Sequence, residues 1–416
     1  MHDRILTRRD FLVASAAVGA GALLAGCTKQ APGRATSAAM PLPRLDRPVT
    51  WPIYADNRAI ESGLPAETGP LKVFQWHEYL YKAVVDDFSS KYGVDVEVTS
   101  FSTMGEAIAK IRRTGADFDV FYPQIEVLPN LVAGRLLRPL NHDYLPNAAN
   151  LWTQFRSEDN PFYDRGQRYT VPYTAYTSGI AWRNDLVDEK DWPSNRSNPY
   201  DVFWDPKFAG QIGIYDNYRE AIALALVHRG ISDVNTASQA DIDAATDDLI
   251  EAAKTTHLRL TADGAEEGLP KGAYLIHQSW SGDFISAPFY GKGNYGHTAP
   301  LLSYWWPTDG TGVTGIDLTA ILSQGRNPVL AHRFVNFLLE PSVALENFSW
   351  NGYQPPITFA GLERSALWSR IPPNAPNAIV SPEDFENGRM LLGLSPEADA
   401  MWRNAWDLFR SYAVTD

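Results

Sequence analysis

Carboxylates and aromatic side chains recur together in this chain at the ends of short apolar runs. The groups are Trp76, Glu78 and Tyr79; Asn217 and Glu220; Trp280 and Asp283; Asp317; and Tyr353. Carboxylates hold a cation through charge-assisted hydrogen bonds. Aromatic faces cover methylene groups and add cation–π attraction of about 0.5–2 kcal/mol each. Asp317 stands inside an otherwise apolar run, where a lone carboxylate is expensive to bury and so calls for a use. Other chemistries are poorly supplied. Neither a G-x-x-x-x-G-K phosphate loop nor a G-x-S-x-G elbow occurs. His77-Glu78 begins like the metalloprotease motif H-E-x-x-H, but Tyr81 stands where the second histidine belongs. The eight histidines are scattered without metal-ligand spacing, so no metal or cofactor is expected. Cys27 is the only cysteine, which removes internal disulfides and thiol catalysis. The net charge of −13 argues against a nucleic-acid partner and favours attraction of cations.

The elements that must carry these residues read as α/β. Residues 71–76 form a strand, followed by a helix with Leu80, Val84, Phe88 and Tyr92 on one face and Gly93 at its end. Val94, Val96 and Val98 alternate with polar residues in a second strand. Ser102 or Thr103 caps a helix carrying Met104, Ala107, Ile108 and Ile111, and Gly115 closes it. Residues 118–122 complete a β-α-β-α-β order, which implies a parallel sheet covered by helices. Ligands sit beyond the carboxyl ends of such strands, here 76–79, 101–103 and 123–126. A second region begins near Tyr173, with strands at 179–182, 210–215, 273–277 and 317–322. Asp216 or Asn217 caps a helix through His228, residues 240–258 read as a surface helix, and 332–339 as another. The length after Cys27 suits two lobes rather than one core.

Several pieces together resemble the spermidine/putrescine-binding proteins of bacterial ABC transporters, over roughly residue 71 to the C-terminus. They are Phe74-Gln75-Trp76-His77-Glu78-Tyr79, Trp204-Asp205-Pro206-Lys207-Phe208-Ala209-Gly210, Asp216-Asn217-Tyr218-Arg219-Glu220, Trp280-Ser281-Gly282, Asp317 and Gly352-Tyr353-Gln354-Pro355-Pro356. The resemblance implies a two-lobed α/β fold of the type II periplasmic-binding-protein kind, with mostly parallel sheets, a hinge and a ligand cleft. It places lobe one at 70–173 plus 316–356 and lobe two at 174–315 plus 357–416. It further implies capture of a polyamine and delivery to membrane permease subunits, with no covalent chemistry. Asp317 and Glu220, with Asp283 as a further candidate, would take the ammonium groups. Trp76, Tyr79, Trp280 and Tyr353 would form the walls, and Glu78 also belongs to the expected site. Three positions depart from the family. Asn217 stands where an acid is common, Glu126 replaces an aromatic, and Gly315 stands where a tryptophan usually precedes the aspartate, a change expected to leave space. The other readings are a binding protein for another cationic or small polar solute, such as a sugar, and a secreted hydrolase using Glu220 with Asp283 or Asp317.

The N-terminus supplies an address. Thr7-Arg8-Arg9-Asp10-Phe11-Leu12 reads as a twin-arginine export signal, with Arg8 and Arg9 as the pair. The apolar stretch 11–25 is short for a membrane span. Leu24-Ala25-Gly26-Cys27 resembles a lipobox, which makes 1–26 a signal peptide and Cys27 the lipidated residue. Residues 27–69, rich in Pro, Ala and Ser at first, read as a tether and extended arm that spaces the body from the membrane, with Trp51 and Tyr54 docking its later part. The expected location is the outer face of the cytoplasmic membrane.

Overall fold

A computed structural model describes residues 40–114, 117–156, 160–307, 309, 311–359 and 371–415. Cys27, Arg8, Arg9 and Gly115 lie outside the described residues. Strands β1 (Leu71–Trp76), β2 (Val96–Phe101) and β3 (Val120–Phe121) alternate with helices α1 (Lys82–Tyr92) and α2 (Met104–Thr114). Both β2 and β3 pair with β1 in parallel. Val84 and Phe88, one turn apart, bury the inner face of α1, and Phe88 meets Phe334 edge-on at 4.9 Å. Thr103 Oγ1 accepts the Glu106 N–H at 3.2 Å and so caps α2. The strand expected from Val94 begins two residues later, because Leu71 pairs with Val96. Val98 is then 40% exposed on the sheet edge.

A second parallel wing consists of β6 (Ile212–Tyr215), β7 (Arg259–Thr261) and β8 (Ile276–Trp280), with helices α3 (Tyr218–His228) and α4 (Gln239–Thr256) between β6 and β7. Residues 273–277 were expected as a strand, but Gly272 and Ala273 still close the preceding helical turn, which delays β8 to Ile276. Helix α4 is not confined to the surface. Ile242, Ala245, Leu249 and Ala252 line a buried stripe at helical spacing. Helix α5 (Ser281–Ser286) follows β8 directly.

The two wings are joined by one long antiparallel pair, β5 (Thr170–Arg183) and β10 (Val313–Leu322). The main path of the sheet runs β12-β7-β6-β8-β5-β10-β3-β1-β2, where β12 is Val414–Thr415; off this path β4 (Leu137–Arg138) and β11 (Arg389–Met390) pair with β10, and β9 (Leu302–Trp305) with β5. The strand expected at 179–182 is thus only the end of a 14-residue strand. Pro172 and the polar Thr and Ser positions of β5 hide its first half from a search for apolar alternation. A register shift at Asp317/Leu318, opposite Pro172 to Thr174, bulges the pair where Pro172 has no N–H to donate.

The buried side chains form two hydrophobic clusters, one centred on β1–β3 with helices α6 (Pro328–Leu338) and α7 (Pro341–Asn351), the other on β6, α3 and α4. The C-terminal segment contributes to both. Ile379 and Phe385 join the first, while Trp402 and Phe409 of α8 (Pro396–Arg410) join the second. Residues 40–69 pack on the body rather than spacing it. Trp51 is fully buried, donates Nε1–H to the Tyr163 carbonyl at 2.8 Å, and its own carbonyl accepts from Arg168 at 2.8 Å. Tyr54 lies under the Arg135 guanidinium at 4.7 Å. Among the described residues no helix is long and apolar enough to cross a membrane, and no group of acidic, His or Cys side chains could hold a metal ion.

Candidate functional site

The carboxyl ends of both wings meet over the middle of β5 and β10, and there the structure gathers most of the expected residues. Asp317 is 5% exposed on β10. One of its oxygens accepts the Tyr79 hydroxyl, which also contacts Thr174 Oγ1 at 2.7 Å. Its other oxygen, Oδ1, is buried with no donor at hydrogen-bond geometry, although the Gln124 and Thr174 side chains lie near the carboxyl. No lysine or arginine among the described residues pairs with it. Burial pushes its carboxyl up to about 7, against the opposing pull of the Tyr79 hydrogen bond and, more slightly, of Gln124 and Thr174, and the nearby Glu126 adds to the rise.

Glu220 reaches the same region from the first turn of α3. Oε1 accepts from Trp280 Nε1 at 2.8 Å and from Ser178 Oγ at 3.2 Å, while Oε2 has only a 3.4 Å contact with Gln278 Nε2. Burial raises it to about 7, the Trp280 and Ser178 hydrogen bonds opposing. Of the two residues expected to cap α3, Asn217 does so. Its Oδ1 accepts the Arg219 and Glu220 backbone N–H groups at 2.9 and 3.3 Å, so it caps α3 and fixes where Glu220 starts. Arg219 turns away, donating to the Leu392 carbonyl at 2.8 Å and lying over the Trp402 ring at 4.7 Å. Asp283, on α5, accepts hydroxyls from Tyr215 at 2.7 Å and Tyr353 at 2.6 Å. Both carboxylate oxygens are therefore engaged. Glu126 is half-buried, raised by burial and opposed by Arg219, and it acts electrostatically on both Glu220 and Asp317.

Aromatic rings enclose these groups. Trp280 stacks on Tyr215 at 3.9 Å, and Tyr353 meets Tyr79 edge-on at 5.1 Å. The Trp-x-Gly turn is required by Tyr353: a Cβ on Gly282 would fall 2.4 Å from that ring. Two expected residues stand apart. Trp76 packs on Phe101 at 4.6 Å, with its indole N–H buried and unpartnered. Glu78 is exposed and accepts the Tyr290 hydroxyl at 2.6 Å, beside a cavity of about 170 Å³ lined also by Glu266, Phe289 and Trp350.

The space expected at Gly315 is filled. Gly315 pairs with Tyr176 across β5–β10, and a Cβ there would lie 2.2 Å from the tyrosine ring. Tyr176 in turn meets Trp280 at 6.3 Å and Tyr353 at 5.9 Å, both edge-on. Burial holds its hydroxyl well above the usual phenol range, and the negative charges of Asp317, Glu220, Glu126 and Asp283 add to the effect. Sequence reasoning missed Tyr176, Tyr215, Ser178 and Thr174. The signal available was the alternation Thr174, Tyr176, Ser178 along one strand face, visible only once the strand is extended back to Thr170.

The arrangement is a buried cluster of acids and aromatic faces whose chemistry suits a cationic solute carrying apolar methylenes. Its likeness to known proteins agrees with a solute-binding architecture. Residues 83–374 match the bacterial extracellular solute-binding protein family. Spermidine/putrescine-binding periplasmic protein 1 of Haemophilus influenzae is 25% identical over 274 residues, covering 65% of this chain and 71% of that one. The putrescine/cadaverine-binding protein of Pseudomonas aeruginosa is 24% identical over 342 residues, covering 80% and 86%. A solved lipoprotein of Treponema pallidum superposes with a TM-score of 0.68 at 20% identity, over 82% of this chain and 98% of that one, and so shares the two-lobed periplasmic-binding-protein fold. With 83–374 matched, this chain belongs to the bacterial extracellular solute-binding protein family.

Proposed function

We propose that this protein is the extracytoplasmic solute-binding component of an ABC importer and that its solute is a polyamine of the putrescine/spermidine class. The observation that carries the reading is Asp317 Oδ1, a buried carboxylate oxygen without a partner, enclosed by aromatic rings. Such an orphan acceptor costs free energy until a donor arrives, and an ammonium group supplies both donor and charge. Glu220, with one oxygen weakly engaged, takes the second ammonium group. Trp280, Tyr353 and Tyr79 cover the methylenes. The names of the relatives, which bind spermidine, putrescine or cadaverine, support the same class.

Capture, hinge closure and docking on permease subunits form the working cycle, with the solute released intact. The moving lobes are built on 70–173 plus 316–356 and on 174–315, with the C-terminal segment packing on both, and the crossing pair β5–β10 is where the hinge bends. Export through Arg8-Arg9 and a lipid on Cys27 keep the protein beside its transporter at high effective concentration. Calorimetry of the protein lacking residues 1–27, against putrescine, spermidine and a neutral sugar, tests the reading. An amine should bind and be recovered unchanged, and Asp317→Ala should weaken it by about 10-fold or more, from the roughly 1.5–3 kcal/mol of a charged hydrogen bond. No binding of either amine, or an Asp317→Ala protein that binds like the parent, defeats it.

A further inference from the structure

Three side chains of β5 stand in a row on the face that looks onto the acids. Thr174 contacts the Tyr79 hydroxyl that holds Asp317, and Ser178 donates to Glu220. Tyr176 lies between them. At roughly 3.3 Å of rise per residue, the two ends of the row are about 13 Å apart along the backbone. The Tyr176 ring folds over Gly315, the only residue type that leaves room for it opposite. Trp280 and Tyr353 close on its edges. The position of this ring is therefore set from three sides, and it forms a fixed floor between the two principal carboxylates.

The acids around that floor are not equivalent. Asp317 has a bare oxygen and Glu220 a weakly engaged one, whereas Asp283 spends its oxygens on two tyrosine hydroxyls and Glu126 is opposed by the Arg219 charge. Two acceptors at the two ends of one aromatic floor match a molecule with two ammonium groups joined by an alkyl chain. A third ammonium group would have only Glu126 beside the same floor, an acid whose charge Arg219 already offsets, so it gains less there than the first two gain at Asp317 and Glu220.

Resting on the polyamine reading, we infer that Tyr176, seated on Gly315, is a specificity-determining residue that selects a short α,ω-diamine over a longer triamine. The ring supplies an apolar and cation-attracting face to the alkyl chain of the diamine. It also fills the volume that a longer chain would need in order to bend between Asp317 and Glu220.

Calorimetry with putrescine and spermidine as the two probes tests this, on the parent, Tyr176→Ala, Tyr176→Phe and Gly315→Ala proteins. The parent should bind putrescine more tightly than spermidine. Tyr176→Ala should raise the ratio of spermidine to putrescine affinity by about 10-fold or more, a size expected when a pocket wall is removed. Tyr176→Phe keeps the ring and should leave that ratio within about twofold. Gly315→Ala pushes a methyl group against the ring and should weaken both amines. If Tyr176→Ala does not fold, Tyr176→Leu replaces it with the same expectation. A parent that prefers spermidine, or an unchanged ratio after loss of the ring, overturns the role of Tyr176 while leaving the polyamine reading intact. A parent that binds neither amine defeats the polyamine reading itself.

Discussion

Asp317 and Glu220 are acids whose burial keeps them protonated to about pH 7 in the folded, empty protein, against ordinary values of 3.8 and 4.5. In the unfolded chain both protons are gone well below that. Between about pH 4 and 7 the folded state holds more protons, so these two groups make stability fall as pH rises, and the effect is complete above the folded pKa. An ammonium ligand needs the ionised forms. Binding below pH 7 should therefore expel protons, and amine affinity should climb between pH 5.5 and 8, by up to about 10-fold per pH unit for each proton released. Titrations in buffers of different ionisation enthalpy measure that release directly. In the ligand-free protein, Asp317→Asn removes the ionisation while keeping an acceptor for Tyr79. Its melting temperature relative to the parent should improve from pH 5 to pH 8 by at least about 2 °C. A difference that stays constant with pH would show that Asp317 already ionises in the empty protein.

At the level of elements, α3 is the device that aims Glu220. Nine of its eleven residues are buried, so its placement is fixed by packing, but its first turn depends on the Asn217 cap. Asn217→Ala should cost about 1 kcal/mol of stability, measured by urea unfolding, and should weaken amine binding because Glu220 loses its starting point. Asn217→Ser, which keeps a capping oxygen, should restore most of both. The β5–β10 pair plays the complementary part. Its bulge beside Asp317 turns Thr174, Tyr176 and Ser178 toward the acids, while Thr177 on the opposite face is tied to the Tyr304 hydroxyl at 2.7 Å. One strand thus carries contacts to both principal carboxylates, which couples the geometry of one wing to that of the other.

For the molecule as a whole, the segment before β1 is part of the folded body from about Met40 onward. Val49 and Trp51 belong to the first hydrophobic cluster, and Arg44 donates to the Gly393 carbonyl at 2.9 Å, tying this segment to the C-terminal region. A protein starting at residue 40 should melt with the full-length body, whereas one starting at residue 70 should be strongly destabilised. Trp51→Ala alone should cost about 3–5 kcal/mol, the usual range for emptying a buried tryptophan site. Amine at 100 times its dissociation constant should add about 2.7 kcal/mol to the stability of the intact body. A shift in melting temperature with putrescine that vanishes in Asp317→Ala would link that stabilisation to the cleft.

Much of the architecture was legible in the residues because it is local. The helices around Val84 and Phe88, the cap at Asn217 and the parallel wings follow from periodicity and capping within a few residues of each other. The association of acids and aromatics at strand ends was legible too, since Glu220, Trp280, Asp283, Asp317 and Tyr353 do converge. What lay beyond the sequence was which groups meet across the fold. The 14-residue strand β5 is buried on both faces, so it shows no clean alternation, and its inward row stayed hidden. Glycine at 315 carries no sign of what covers it, and only the cross-strand pairing puts the Tyr176 ring there. Residue type determined that this chain would offer negative charge and aromatic faces. Tertiary packing decided which carboxylate oxygens are left bare, because that depends on hydrogen-bond donors brought from distant parts of the chain, such as Tyr79 to Asp317 and Tyr215 and Tyr353 to Asp283.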